Sequence, residues 1–209
     1  MASRQTEISP ISLNRLSLYL RCLRQLNGEG VNRISSKALA DRFGLSAALI
    51  RKDLAQFGEF GIRGIGYEVE PLIERLRIIL GLDHEHRIAV VGMGRLGGAL
   101  GRYLEQNPGA FRIVAAFDSD RRKVGRKVGT VTIHHVSEVS TVIPQTGATM
   151  ALLTVPPESA QAICSVLTDA GVRAVLNFAP VQLHVAPGVT AKTVDVRIHL
   201  EELAFFLQP

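Results

Sequence analysis

The chain has few cysteines, and its two, Cys22 and Cys164, stand far apart in no paired motif. That argues against a disulfide scaffold and suits a reducing cytoplasm. No apolar run approaches the roughly 18 residues that a membrane span requires. The N-terminus lacks a charged start followed by an apolar stretch, so no signal peptide is expected. There is no internal repeat and no low-complexity segment. A catalytic relay is also missing. His84 and His86 lie in a polar linker, His134 and His135 end a strand pattern, and His184 and His199 are isolated. None has convincing metal spacing with a third ligand. Cys164 lies within a helical pattern among Ala162, Ile163 and Val166, the setting of a buried thiol that packs as a small hydrophobe.

What is present is a globular composition. The 209 residues suit one large or two small domains, and 46% hydrophobic residues are too many for a disordered chain. The net charge of +5 is unevenly placed. Residues 1–80 hold 12 Lys/Arg against 8 Asp/Glu, whereas residues 81–209 hold 12 against 11. The basic excess belongs to the N-terminal part, which permits a polyanionic partner there.

The periodicity also divides the chain. Leu13, Leu16, Leu20 and Leu23 predict a helix over 12–27, stopped by Gly28-Glu29-Gly30. Ser35-Ser36 caps a short second helix over 37–43, and Gly44 makes a turn. Ser46 caps a third helix through Gln56, with Leu45, Leu49, Ile50 and Leu54 as core candidates. The glycine-rich "FGEFGIRGIGY" (57–67) reads as a hairpin, and 71–80 as a linking helix. After the polar boundary at 81–87, short apolar runs at 88–91, 113–117, 131–134, 149–153 and 174–178 alternate with helices starting near Arg95, Ser137 and Pro157. This alternation predicts an α/β doubly wound parallel sheet of the Rossmann type. A last helix spans 197–207. The expected domains are therefore a winged-helix head over 1–80, a nucleotide-binding domain over 81–196 and a C-terminal dimerisation helix over 197–209. The tail's Leu200, Leu203, Phe205, Phe206 and Leu207 offer more apolar surface than a solvated end helix should expose. Packing on its own sheet is the competing reading.

Gly92-Met93-Gly94-Arg95-Leu96-Gly97 matches G-x-G-x-x-G, with a strand pattern before it and a helix pattern after it. The first glycine permits the tight turn, the second lets backbone approach a pyrophosphate, and the third lets helix and strand pack closely. Asp118 ends the second strand pattern, about 20 residues on, where a carboxylate can accept both ribose hydroxyls. Its charge would repel a 2′-phosphate and favours NAD(H) over NADP(H), although Arg121, Arg122 and Lys123 stand nearby. Val155, Pro156, Phe178 and Ala179 would line an apolar nicotinamide pocket. An ordinary glycine-rich turn and a solvated charged loop are the plain alternatives.

In the first 80 residues, helix, helix, turn, helix, hairpin is the layout of a winged helix-turn-helix, whose third helix enters the major groove. Ser46, Ala47, Arg51 and Lys52 lie at or near its start, Arg63 at the hairpin tip, and Ser35, Ser36 and Lys37 where phosphate could bind. The plain alternative is a small helical domain with solvated charges.

"SSKALADRFGLSAALIRKDLAQFGEFGIRGIGY" (35–67), "VVGMGRLGGAL" (90–100), "AAFDSD" (115–120), "ALLTVPPESAQ" (151–161), "LNFAP" (176–180) and "VDV" (194–196) resemble the Rex family of redox-sensing transcriptional repressors, in that family's order. The resemblance implies a homodimer with a swapped C-terminal helix. It also implies that NADH lowers affinity for palindromic operator DNA, while NAD+ competes without releasing it. By the same resemblance Tyr103 lies beside the nicotinamide, Asp195 near the dimer centre and Arg21 on the first helix, and these three exchange partners in the switch. Where some members place phenylalanine after that carboxylate, this chain has Val196.

A sensor rather than an enzyme is expected, because residues 81–209 suffice for a cofactor domain and leave no stretch for a substrate lobe. An NAD-dependent oxidoreductase and a CoA-binding module are the alternatives, and Asp118 speaks against the second.

Overall fold

The computed structural model describes residues 9–58, 60–62, 64–107 and 109–207. Two compact units divide the chain, residues 1–84 and 85–209.

In the first unit, α1 (Pro10–Gly28), β1 (Arg33–Ile34), α2 (Ser36–Phe43), α3 (Ala47–Ala55), β2 (Gly61–Ile62), β3 (Gly66–Glu68) and α4 (Val69–Ile79) follow one another. The three strands form an antiparallel sheet in the order β1-β3-β2. The helices start where the sequence supplies a cap. Ser9, Ser35 and Ser46 each accept from a backbone N–H three residues on, and Gly44 closes α2 in the left-handed region that glycine adopts freely. One core gathers Leu16, Leu23 and Leu26 of α1, Leu39 of α2 and Ile50 and Leu54 of α3.

Two expectations need correction here. The segment over 71–80 is no mere linker, because α4 carries Val69, Leu72, Ile73 and Leu76 on one stripe at helical spacing and buries all four in the head. Leu49, expected inside, is exposed. It lies about 100° around the helix from Ile50, beyond the edge of the stripe set by Ile50, Asp53 and Leu54.

Asp53 is the buried charge of this unit, with a side chain 1% exposed. The Arg15 guanidinium donates to both its oxygens, at 2.5 and 2.6 Å, and the Tyr19 hydroxyl donates at 2.8 Å. This bidentate bridge joins α1 to α3. It holds the Asp53 carboxyl below the usual carboxylate range, and burial together with Asp53 pushes Tyr19 up to about 12.

The second unit runs β4 (His86–Val91), α5 (Arg95–Gln106), β5 (Phe111–Asp118), β6 (Lys127–Val128), β7 (Val131–His135), a 3-10 turn (Val136–Glu138), α6 (Val139–Thr146), β8 (Met150–Leu153), α7 (Pro157–Asp169), β9 (Ala174–Asn177), β10 (Thr190–Thr193) and α8 (Val196–Phe205). The seven strands lie in the order β10-β9-β8-β4-β5-β7-β6, all parallel except the β6–β7 pair. Six of them reproduce the doubly wound dinucleotide-fold order. The sequence pattern missed β1, β6 and β10. The first two are two residues long, and β10 is a half-exposed edge whose residues show no apolar alternation.

Alternation assigns the two faces. Ala89 and Val91 turn toward α6 and α7, with Phe117, Leu153 and Val175. Ile88 and Val90 turn the other way with Leu152, toward Leu100 and Leu104 of α5. A register shift in the β4–β5 pairing after Ile88 skips Val114. This bulge returns Ala115 and Phe117 to the first face.

Asp53 gives a stability prediction. Because its carboxyl is held below the ordinary value of about 3.9, its contribution is complete above that value and is lost as pH falls through the lower folded value. Asp53→Asn should lower the head's denaturation midpoint by several degrees at neutral pH and flatten its acid arm, read by circular dichroism between pH 7 and pH 3.

Candidate functional site: a nucleotide crevice and a winged groove

The strand order reverses between β4 and β8, so the loops after their carboxyl ends diverge and leave a crevice. The fingerprint turn occupies one side. Gly92 has φ +92°, and a Cβ there would sit 2.6 Å from the Thr154 carbonyl oxygen. A Cβ on Gly97 would collide with the Gly92 carbonyl oxygen and come within 2.6 Å of Thr154 Oγ1. Those two glycines are required by the protein itself. Gly94 differs, since a Cβ there would meet nothing within 4 Å. Its bare backbone opens onto the crevice as the N-cap of α5, with no side-chain capping bond. The first-turn N–H groups and the helix dipole therefore face a space suited to a diphosphate. Arg95 and Leu96 are exposed there, whereas the Met93 side chain is buried in the core beneath α5. Met93 thus offers backbone only.

Thr154 was not singled out by the sequence. Its hydroxyl donates to the carbonyls of Val91 (3.0 Å) and Gly92 (2.6 Å) and pins the turn from the neighbouring strand. Only a threonine just past a strand end signalled it.

Asp118 ends β5, 7% exposed. It accepts from the Asp120 backbone N–H and from Lys123 Nζ, both at 2.8 Å. Arg122 instead pairs with Asp120 and holds that carboxyl down at about 2. Of the three nearby cations, Lys123 is thus the one that the structure joins to Asp118. A carboxylate with two oxygens retains acceptor capacity beyond these two bonds.

On the other side of the crevice, Val155 is half-buried and Pro156 exposed at the start of α7. Asn177 organises the turn after β9. Fully buried, it donates to the carbonyls of Ala179 (2.9 Å) and Val181 (2.8 Å) and accepts from the Ala179 N–H (2.9 Å). This sends Phe178 to the α5 face of the sheet and Ala179, 2% exposed, into the opposite core. Ala179 therefore does not line an open pocket as the sequence suggested. Phe178 does, in an apolar groove of about 430 Å³ with Tyr103, Leu100, Phe111 and Leu176. Tyr103 is 62% exposed on α5.

Asp195 caps α8, accepting from the Arg197 N–H at 2.9 Å. The helix buries none of its residues, and Val196, Ile198, Leu200, Leu203, Phe205 and Phe206 are all exposed. The alternative in which it packs on its own sheet is thereby set aside. Cys22 and Cys164 are buried, and that burial pushes both thiols up. His135 and Glu138 form a reciprocal cap of the 3-10 turn. Among the described residues there is no metal-ligating cluster.

In the head, Ser35, Ser36, Lys37 and Arg51 converge on a groove of about 890 Å³, closed on the other side by Phe60, Ile62 and Gly64 of the hairpin. Arg51 donates to Ser36 Oγ at 3.0 Å, tying α3 to the start of α2. Ser46 and Lys52 are exposed on α3 but do not line this groove. Ala47 is half-buried against the head core, because it begins the helix one turn before Ile50. Arg63 lies outside the described residues. Arg21 is exposed on α1.

Two family models match, one described as "CoA binding domain" over residues 83–181 and one as "Putative DNA-binding protein N-terminus" over residues 7–55. A redox-sensing transcriptional repressor Rex from Chloroflexus aurantiacus is 43% identical, with 94% of this chain and 93% of that protein covered. One from Thermosipho africanus is 37% identical, with 94% of each covered. Among solved structures, RSP in complex with β-NAD+ and operator DNA is similar with a TM-score of 0.90 at 34% identity, covering 96% of this chain and 92% of that one. RSP in complex with β-NADH gives 0.87 at 32% identity, covering 96% and 94%. With a winged head, a doubly wound nucleotide crevice and near-full-length identity on this scale, the chain belongs to the Rex family of redox-sensing transcriptional repressors.

Proposed function

We propose that this chain is a homodimeric repressor that binds palindromic operator DNA and is released from it by NADH, acting as a cytoplasmic sensor and not as an enzyme. The observation that carries the reading is Gly94. An uncapped helix N-terminus opens over a bare backbone, with an oriented ribose-type carboxylate at the next strand end, in one chain with a winged head. Relatives solved with β-NAD+ and operator DNA and with β-NADH support it.

In this reading Gly92 and Gly97 shape the turn, and Gly94, Arg95 and Leu96 receive the pyrophosphate. Asp118, steered by Lys123, holds the adenosine ribose. Its charge disfavours the 2′-phosphate of NADP(H) and equally the 3′-phosphate of CoA, which answers the name of the matching model. Val155, Pro156, Phe178 and Tyr103 face the nicotinamide. Desolvating the positive oxidised ring against such apolar side chains costs more than desolvating the neutral reduced one, so the pocket favours NADH. In the head, Ser35, Ser36 and Lys37 bind phosphate, Arg51 and Lys52 reach base edges or the backbone, and Ser46 and Arg63 complete the contact. No step needs a catalytic group, and His135 already serves as a structural cap.

A gel-shift titration on a palindromic DNA library tests this. Release by NADH, little release by NAD+, and none by NADPH or CoA is the expected outcome. Equal operator binding with and without saturating NADH would overturn the reading, and sustained NADH consumption with a substrate would favour the oxidoreductase.

Dimerisation rests on α8. Its apolar side chains have no cover among the described residues, and the half of the sheet beside α5 presents an apolar groove. We assign the part of that groove over β9 and β10, beyond Tyr103 and Phe178, to α8 of a second copy. Leu203→Asp should weaken self-association at least about tenfold, roughly 1.4 kcal/mol, and weaken operator binding with it. Light scattering that still reports a tight dimer would remove α8 from the interface.

Arg21, Tyr103 and Asp195 are the proposed switch residues. Because Asp195 also caps α8, an alanine there would confound coupling with helix stability. Asp195→Asn retains a capping oxygen. It should leave the dimer intact while reducing the NADH-dependent change in operator affinity by about tenfold, within the range of allosteric couplings. Unchanged release in this variant would exclude Asp195 from the switch.

A further inference from the structure

The head holds a buried ion pair that the nucleotide and DNA contacts do not use. Asp53 lies on α3 beside Arg51 and Lys52, yet its side chain points inward and is 1% exposed. Both its oxygens are taken, one by Arg15 Nη2 at 2.6 Å and the other by Arg15 Nε at 2.5 Å and the Tyr19 hydroxyl at 2.8 Å. Arg15 donates further to Ser12 Oγ at 3.2 Å. Ser12, Arg15 and Tyr19 are successive turns of one face of α1. That face also carries Leu16, Leu20, Leu23 and Leu26 into the core.

Apolar packing between two helices permits sliding by fractions of a turn, because dispersion contacts are non-directional. A planar guanidinium on a carboxylate does not, since two parallel N–H···O bonds fix both distance and plane. The Tyr19 hydroxyl adds a third direction from a side chain one turn further on. The bridge therefore adds three directional bonds between α1 and α3.

Arg21 occupies the opposite face of the same helix. Residue 21 points about 180° away from the stripe through Ser12, Leu16, Tyr19 and Leu23, and it is exposed. Along the axis it stands about 9 Å from Arg15, at 1.5 Å per residue. α1 thus bears a directional clamp to the recognition helix on one side and an exposed cation on the other.

We propose that Asp53 is a positioning residue for operator recognition, and that its bridge to Arg15 and Tyr19 makes α1 and α3 move as one body, so that whatever engages Arg21 displaces the recognition helix with it. The second part rests on the switch reading given above. The first does not, because it concerns only how the operator-reading surface is set.

The test uses the full-length dimer. Tyr19→Phe removes one bond and keeps the ring in the core, and Asp53→Asn removes the charge at nearly constant volume. Head folding is monitored by circular dichroism, and all binding is measured at a temperature where the variant's head is at least nine-tenths folded, Tyr19→Phe deciding should Asp53→Asn fall short. Three quantities are read: NADH affinity of the DNA-free protein by fluorescence, operator affinity without cofactor, and the ratio of operator Kd with and without saturating NADH. Expected are NADH affinity within about twofold of the parent, operator affinity reduced about tenfold, and a coupling ratio reduced at least about threefold, the scale on which mutations away from both ligands modulate coupling. A merely structural role would alter operator affinity only by the unfolded fraction and would leave the ratio unchanged. That outcome, or parental values of both in a folded variant, overturns the proposal. If the parent binds operator but NADH fails to release it, the sensor reading fails on its own, and operator affinity alone still decides the role of Asp53.

Discussion

The closeness of α5 to β4 is the constraint on which the nucleotide crevice depends. Two glycines and one hydroxyl create it. Gly92 turns the chain through a conformation that side chains resist, Gly97 admits the helix against the Gly92 carbonyl, and Thr154 pins that carbonyl from β8. With any of the three replaced by a larger or apolar group, α5 would stand off the sheet and its N–H groups would no longer point where the strands diverge. The third fingerprint glycine, Gly94, has no such internal duty. A position that the protein leaves open at no steric need of its own is more informative about a ligand than positions its own packing demands.

A second consequence follows from the sheet. Two helices cover the face of Val91, Phe117 and Leu153, whereas α5 alone covers the face of Ile88, Val90 and Leu152. The strands β8, β9 and β10 are therefore left with an apolar groove on that side. The helix α8 has the complementary defect, apolar side chains that nothing among the described residues covers. The two deficits are of one kind, and a second copy satisfies both at once under two-fold symmetry, since each copy has one groove and one helix to offer.

Much of this was legible in the sequence because it is periodic or punctuated. Leucines at helical spacing, serine caps and short apolar runs between glycines give the order of elements, and G-x-G-x-x-G with a distant Asp118 gives the crevice. The resemblance supplied Arg21, Tyr103 and Asp195, which no pattern in this chain distinguishes. What escaped reading depends on direction rather than residue type. Leu49 is as apolar as Ile50 but lies one step around the helix and faces outward. Ala179 was placed in the pocket with Phe178, yet the turn that Asn177 organises after β9 sends the two to opposite sides of the sheet. Asp53 was not singled out, and only the fold shows Arg15, 38 residues away, closing on it. Lys123 and Arg122 are neighbours in a cationic run, and the turn after β5 alone decides that one takes Asp118 and the other Asp120.

The energetic demand on a sensor of this kind explains why directional contacts matter in both units. Moving a population from about 99% to about 1% operator-competent needs roughly 5.5 kcal/mol of differential binding, which two identical crevices in a dimer can share. That energy is useful only if it reaches the DNA-reading helix undiminished. A soft apolar interface would absorb a small displacement by repacking, whereas a bidentate ion pair at fixed geometry passes it on. In the proposed mechanism the apolar groove and α8 supply the free energy of assembly, the crevice supplies the differential binding, and the Arg15–Asp53–Tyr19 bridge gives the head the stiffness to answer to it. A buried ion pair is seldom the most stable filling for such a site, because desolvation offsets much of the attraction. Its place on the inner face of α3 therefore accords with the positioning role proposed for it.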